Sequence, residues 1–310
     1  MLILGRKKSV HRFEIGDLRF ENSISCNNLI GERRKMLKKV LGVRINDLPE
    51  SQAVRVVTSW LKKTTGSRFT VHGSRLIFTP GPEFIVTAQK DLEFREILNA
   101  SDLNVPDGFG LKFAGIENRV LGVDLMVRLC EEAAKNDWSV GLLGGRGGVA
   151  GKAAKKLQEK FPKLQIGYAL SDGKADQVLR YYFIDSSITL SYDKVTDKLS
   201  LMPEVDLLFV AFGHPTQEKL LWKMKKEKEE MKGNSQFSIP NSQFRVGMGV
   251  GGSFDFISGE VWEPTGWWSQ MGLKWLGRLL SNPGHIKRVV RAVIVFPALL
   301  LRDKLLGKPQ

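Results

Sequence analysis

The chain has 310 residues, 42% of them hydrophobic, which suffices for one large or two small folded domains with a real core. Its 47 Lys and Arg against 33 Asp and Glu give a formal charge of +14, so its surface draws polyanions, whether nucleic acid, anionic lipid or phosphorylated small molecules. Two distant cysteines, Cys26 and Cys130, leave no basis for a disulfide framework or a zinc site and fit a reducing compartment.

The apolar start, Leu2 to Leu4, is too short for the core of a secretory leader, so export is not expected. Residues 1–38 mix charge, Asn and Ser without periodicity and close on a basic run, which reads as an extension that need not be ordered. From Lys39 the pattern becomes regular: a short strand KVLGVRI, a turn at Asn46-Asp47, then SQAVRVVTSWLKK at helical spacing behind a Ser or Asp cap. Strand-length apolar runs (RLIFT, SVGLLGG, LQIGYAL, VDLLFVAFG, FRVGMGVGG) then alternate with helical stretches (LEFREILNA, LMVRLCEEAAKN, GVAGKAAKKLQEKF, QEKLLWKMKKEKEE). This alternation predicts an α/β fold over residues 39–259, a Rossmann-like, mainly parallel sheet with helices on both faces. Ligands of such sheets collect outside the carboxyl ends of the strands.

Residues 225–244 are charged and then rich in Asn, Ser and Gln, which predicts a surface insertion. Residues 260–310 change character: Trp262, Trp267, Trp268 and Trp275 crowd ahead of a basic, apolar tail, a distinct C-terminal helical appendage. Its longest apolar stretch, residues 292–301, is about half of the ~20 residues a spanning helix needs, so no transmembrane helix is expected.

Four segments carry residues fit for chemistry. Asp107 stands in NVPDGFG, where a short apolar strand is expected to end at Pro106 and Gly108 and Gly110 allow a sharp turn; its carboxylate is either a general base for an incoming hydroxyl or a turn residue bonding its own backbone. LLGGRGG runs from a strand into a helix, so the amides around Gly144 and Gly145 either hold a diphosphate or simply make a tight strand-helix turn. FVAFGHPTQEK offers Gly213, Gln217 and Glu218 at a helix start, where Gln217 is either a ligand to a sugar or base or a cap partner. GVGGSFDF presents Gly252 and Asp255, a sugar ligand or a helix-cap acid. In the tail, Lys287, Arg288 and Arg291 lie beside apolar positions, as in a helix seated among lipid headgroups or one packed on the core with a solvated basic side.

In their order, the blocks TPGPEFIVTAQKD, ILNASDLNVPDGFG, ENRVLGVDLM, LLGGRGG, FVAFGHPTQEK, GVGGSFDFISG and GLKWLGRLL resemble the WecG/TagA/CpsF family, glycosyltransferase family 26, over residues 39–305. The resemblance implies an inverting, metal-independent, cofactor-free enzyme that takes an N-acetylmannosamine-type sugar from a UDP donor to an undecaprenyl-diphosphate-linked N-acetylglucosamine, for cell-surface polysaccharide or teichoic acid. It casts Asp107 as the base, Thr79 as its polar companion, and Arg119 and Gln217 as contacts to the donor or its departing diphosphate. The tail residues Arg278, Lys287, Arg288 and Arg291 match a membrane-docking appendage that helps close the site. The implied place is the cytoplasmic face of an anionic membrane, peripherally bound, with self-association into a homo-oligomer left open and no nucleic-acid partner.

This chain departs from the family pattern at Gly81, where an amide side chain is usual, and at Glu263 and His285, where basic residues are usual. The aromatic segment expected after the glycine loop reads GYALSDG. A membrane-associated sugar-nucleotide binder without turnover is the rival these departures raise. An NAD dehydrogenase is a weaker rival, because no fitting acidic ribose ligand follows LLGGRGG.

Overall fold

In a computed structural model of the chain the described residues are 36–62, 74–171, 203–232, 244–261 and 289–306, the side chains of 227–232 excepted. The expected N-terminal extension lies outside them up to residue 35, as do Arg278, Lys287, Arg288, the four tail tryptophans, Glu263 and His285.

The stretch predicted as one strand is a hairpin, β1 (Leu37–Val40) and β2 (Val43–Asn46), so regular structure begins two residues before Lys39. Both central residues of its turn have positive φ, Leu41 at 47° and Gly42 at 83°, the primed geometry that suits strand twist. A leucine there hides the turn from sequence reading. Helix α1 (Glu50–Lys62) buries Ala53, Val57 and Leu61, a four-residue repeat on one face.

The main sheet runs in the order β4-β3-β8-β7-β5-β6, with every pairing parallel. Its strands are β3 (Arg75–Phe78), β4 (Leu103–Asn104), β5 (Ser139–Gly144), β6 (Gln165–Leu170), β7 (Val205–Ala211) and β8 (Phe244–Gly249). Between them come α2 (Pro82–Ala88), α3 (Leu92–Ala100), a 3-10 helix (Phe109–Ala114), α4 (Gly122–Lys135), α5 (Val149–Lys160) and α6 (Thr216–Lys232). After β8 follow α7 (Ser253–Ser258) and, past a π turn at Arg291–Val295, α8 (Phe296–Leu305).

β7 shows why the sheet is parallel and doubly covered. All seven of its residues are buried: Leu207 and Phe209 pack under α4, α5 and α7, while Leu208 and Val210 pack under α2, α3 and α6. Each such side chain contributes about 1.5–3 kcal/mol by leaving water. At the amino edge Asp206 binds Arg245 at 2.7 Å and accepts the Ser139 amide at 2.9 Å, which serves the fold and leaves the other edge for function.

Two expectations need correction. The strand before Asp107 ends at Asn104, and Val105 continues with a single bond to the Phe78 carbonyl, 3.0 Å. The supposed insertion at 225–244 begins inside α6: Leu220, Leu221 and Met224 give that helix a buried face, and the half-buried Lys225 reaches Asp102 at 2.9 Å. Lys and Glu are good helix formers, so a charged run extends a helix that apolar residues anchor. Residues 233–243 lie outside the described residues.

The C-terminal helix is seated on α2, with Phe296 and Leu300 buried in the cluster that also holds Phe84 and Ile85. That contact brings the chain's end to the sheet's carboxyl edge.

Candidate active site

A cavity of about 550 Å³ opens at this edge, lined by residues that follow β3, β4, β7 and β8 together with the 3-10 helix and the C-terminal helix. Thr79 follows β3 directly and is nearly buried. Two residues on, Gly81 caps α2, its carbonyl accepting the Phe84 and Ile85 amides, with Pro82 at the first helical position where no amide is missed.

Asp107 is drawn to the same place. Its amide donates to the Pro80 carbonyl at 3.2 Å, and its Oδ2 accepts the Gly122 amide at the start of α4, 3.3 Å. The reverse turn at Gly108 has φ 107°, open to glycine and strained for other residues. A Cβ on Gly122 would sit 3.3 Å from the Thr79 Oγ1 and 3.6 Å from the Asp107 Oδ2, so glycine there lets hydroxyl and carboxylate converge. A Cβ on Gly81 would meet the Asp107 carbonyl at 2.7 Å and the Glu83 Oε2 at 2.8 Å. In this chain the space beside Gly81 is therefore filled by Glu83, a second carboxylate on the cavity wall that the sequence reading left without a role.

Arg119 lines the cavity on the loop between the 3-10 helix and α4. Asp47, read from sequence only as a turn residue, holds that loop: its carboxylate accepts the Glu117 amide at 3.0 Å, the Asn118 amide at 2.8 Å and the Asn118 side chain at 2.9 Å, and pairs with Lys38 at 2.7 Å. Burial opposes its charge, but these donors outweigh burial and hold its carboxyl below the usual range. Its partners in that loop lie 70 and 71 residues away, so spacing gives no signal.

Gln217 is buried, and its Oε1 accepts the amides of Gly213 at 3.1 Å and Gly251 at 3.0 Å, while its Nε2 donates to Glu218 at 2.7 Å. It ties the loops after β7 and β8 together and shows one edge to the cavity. Beside it His214 stacks on Phe84, ring centroids 4.4 Å apart, a contact the sequence did not signal.

Of the sequence-predicted residues, Thr79, Gly81, Asp107, Gly108, Arg119, Gln217 and Gly252 line the cavity; Gly144, Gly145, Gly213, Glu218 and Asp255 do not. The glycine loop after β5 is a tight turn. A Cβ on Gly144 would meet the Ala211 backbone at 2.9 Å, one on Gly145 would collide with Val149, and the Gly145 amide is bonded to the Ala211 carbonyl. The Ala150 amide at the start of α5 is taken by the Ser171 hydroxyl, 3.0 Å, which leaves it unavailable to a phosphate. Arg291 is exposed, on the segment that contributes Val289, Ala292 and Val293 to the wall. A separate depression of about 470 Å³ lies beyond Val123 and holds none of the predicted residues. Among the described residues no group of three or more His, Cys, Asp or Glu is arranged to hold a metal, and no helix is long and apolar enough to cross a membrane.

A doubly covered parallel sheet with a carboxylate, a hydroxyl and an arginine gathered in one crevice at its carboxyl edge has the layout of a group-transfer enzyme. The sequence model of the glycosyl transferase WecG/TagA/CpsF family matches residues 38–310, and the chain belongs to that family; it is a glycosyltransferase. It is 28% identical over 222 residues to the N-acetylglucosaminyldiphosphoundecaprenol N-acetyl-beta-D-mannosaminyltransferase of Bacillus subtilis (strain 168), spanning 69% of this chain and 75% of that protein. The protein of the same name from Bacillus spizizenii (strain ATCC 23059 / NRRL B-14472 / W23) is 28% identical over 240 residues, 75% of this chain and 81% of its own. The resemblance read from the order of blocks is thus borne out.

Proposed function

We propose that the chain transfers an N-acetylmannosamine-type sugar, with inversion, from a UDP donor to a hydroxyl of an undecaprenyl-diphosphate-linked N-acetylglucosamine, in the synthesis of a cell-surface polysaccharide or teichoic acid. The acceptor oxygen gives its proton to the Asp107 carboxylate and attacks the anomeric carbon from the face opposite the diphosphate. The bond from that carbon to the donor oxygen breaks, and UDP leaves with the electron pair. Thr79 orients the acceptor hydroxyl toward Asp107. Negative charge grows on the leaving diphosphate, and Arg119, joined by cations of the tail, takes the part a metal plays elsewhere. The enzyme works peripherally, at the cytoplasmic face of the membrane.

The observation that carries this reading is the convergence of Asp107, Thr79 and Arg119 on one cavity, with the Gly122 amide fixing the carboxylate. The names of the relatives support the choice of sugar and acceptor. The test is transfer of labelled sugar from UDP to a short-chain lipid-diphosphate acceptor by the full chain and by Asp107→Asn. The variant should lose about 100- to 10,000-fold in kcat while binding UDP as before. Unaltered turnover in the variant removes Asp107 from the chemistry, and a wild-type chain that binds UDP but transfers nothing is a binder only.

A further inference from the structure

Eight of the ten large hydrophobic side chains most open to solvent among the described residues lie on two segments, the 3-10 helix and the stretch 289–306 that holds the π turn and the C-terminal helix. On the first, Phe109 is 41% and Phe113 61% exposed, their rings edge to face at 6.2 Å. On the second, Val293, Ile294, Leu301 and Leu305 are 54–77% exposed. Native monomers seldom leave so concentrated an apolar surface to water without a use for it. The two elements touch, since a Cβ on Gly110 would lie 3.8 Å from the Ala292 carbonyl. Phe109, Phe113 and Val293 also line the cavity, so one apolar surface runs from its wall to the outside.

Charge decides what covers this surface. Lys112 stands between the two phenylalanines, its Nζ 5.5 Å from the Phe109 ring, and Arg291, Arg302 and Lys304 lie along the C-terminal helix. Asp303 is the one acid on either element. A second copy docking face to face would set these cations against themselves, whereas an anionic bilayer offers phosphates at the depth of the cations and acyl chains beyond. The mixture of aromatic rings and lysine suits that boundary.

We infer that Phe109, Lys112 and Phe113 form a membrane wedge, a bilayer contact separate from the tail, and that with the C-terminal helix it straddles the cavity mouth and opens the site directly against lipid. The inference rests on the proposed lipid-linked acceptor for its purpose, and its test needs no substrate. The full chain is sedimented with vesicles of phosphatidylcholine containing phosphatidylglycerol, beside Phe109→Ser/Phe113→Ser. The wild type should pellet, and the double variant should bind at least about tenfold more weakly with its thermal midpoint kept. Independently, Phe113→Cys in a Cys26→Ser background, labelled with a polarity-sensitive dye, should shift its emission to the blue on adding these vesicles; the remaining Cys130 is buried.

Equal binding by the double variant, or a dye that ignores the vesicles, overturns the wedge while leaving the tail as a membrane contact. Loss of self-association in sedimentation velocity with vesicle binding unchanged overturns it in favour of a second copy. A wild type that transfers sugar to a water-soluble acceptor yet never pellets refutes the wedge and spares the reaction. A wild type that pellets but transfers nothing refutes the reaction and spares the wedge.

Discussion

The loop after β5 and the loops after β3 and β4 leave the same edge of one sheet, and both are rich in glycine, yet only the second pair faces the cavity. After β5, Gly144 and Gly145 let the backbone press on β7, and the next helix has its Ala150 amide occupied by Ser171. After β3 and β4, Gly122 makes room for the Asp107 carboxylate and the Thr79 hydroxyl to meet, and Gly81 makes room for the Asp107 backbone and the Glu83 carboxylate. The lesson is that a glycine reports close approach without saying what approaches. In the first loop the neighbour is the protein's own strand, and in the second it is a functional group.

The widest separation of the two loops comes from pairing a substitution in each. Asp107→Asn should raise the barrier to transfer by about 3–5 kcal/mol while leaving the melting temperature within a degree or two, because the amide still accepts from Gly122. Gly144→Ala should do the reverse. A side chain at φ 104° that meets the Ala211 backbone costs about 3 kcal/mol of stability, a fall of roughly 5–10 °C in thermal midpoint, with KM for the donor unmoved at temperatures where the protein is folded. If the alanine variant melts normally but loses donor affinity, the loop after β5 is a ligand loop like those after β3 and β4.

Much of this was legible in the residues. β5, β7 and β8 are apolar runs because both faces of a parallel sheet are covered, and Asp107 stands beside Gly108 at the edge where ligands collect, whereas Thr79 and Arg119 were reached only through the family resemblance. What escaped reading depends on contacts between distant parts of the chain. Leu41 adopts positive φ because the hairpin is clamped on α3, with the Asn99 side chain bonded to the Gly42 carbonyl at 2.9 Å. Asp47 looks like any turn acid until the loop it holds arrives from position 117.

Between the two loops stands Gln217, and a smaller perturbation there sharpens the contrast. Gln217→Leu keeps the volume but leaves the amides of Gly213 and Gly251 without their acceptor, at about 2 kcal/mol of stability. Because Gly251 lines the cavity, this loss should also raise the donor KM severalfold, which Gly144→Ala should not. Melting curves and initial rates on the two variants, run side by side, check the distinction.

Asp47 gives the mildest test and the one that reads pH. Its folded carboxyl titrates below the ordinary 3.8, so its contribution is fully present above that value and is lost as pH falls from 3.8 through the lowered folded value. Lys38 is its cationic neighbour, itself shared with Glu117 at 3.2 Å, and the Asn118 side chain donates as well. Asp47→Asn should therefore cost about 1–2 kcal/mol at neutral pH, and the gap in thermal midpoint between it and the wild type should close as the buffer is taken below pH 3.8. At neutral pH the same variant loosens the segment that carries Arg119, so kcat for transfer should fall severalfold while the donor KM moves less. A gap that stays constant into acid would mean that Asp47 holds the loop by shape alone, and the electrostatic part of its role would fall.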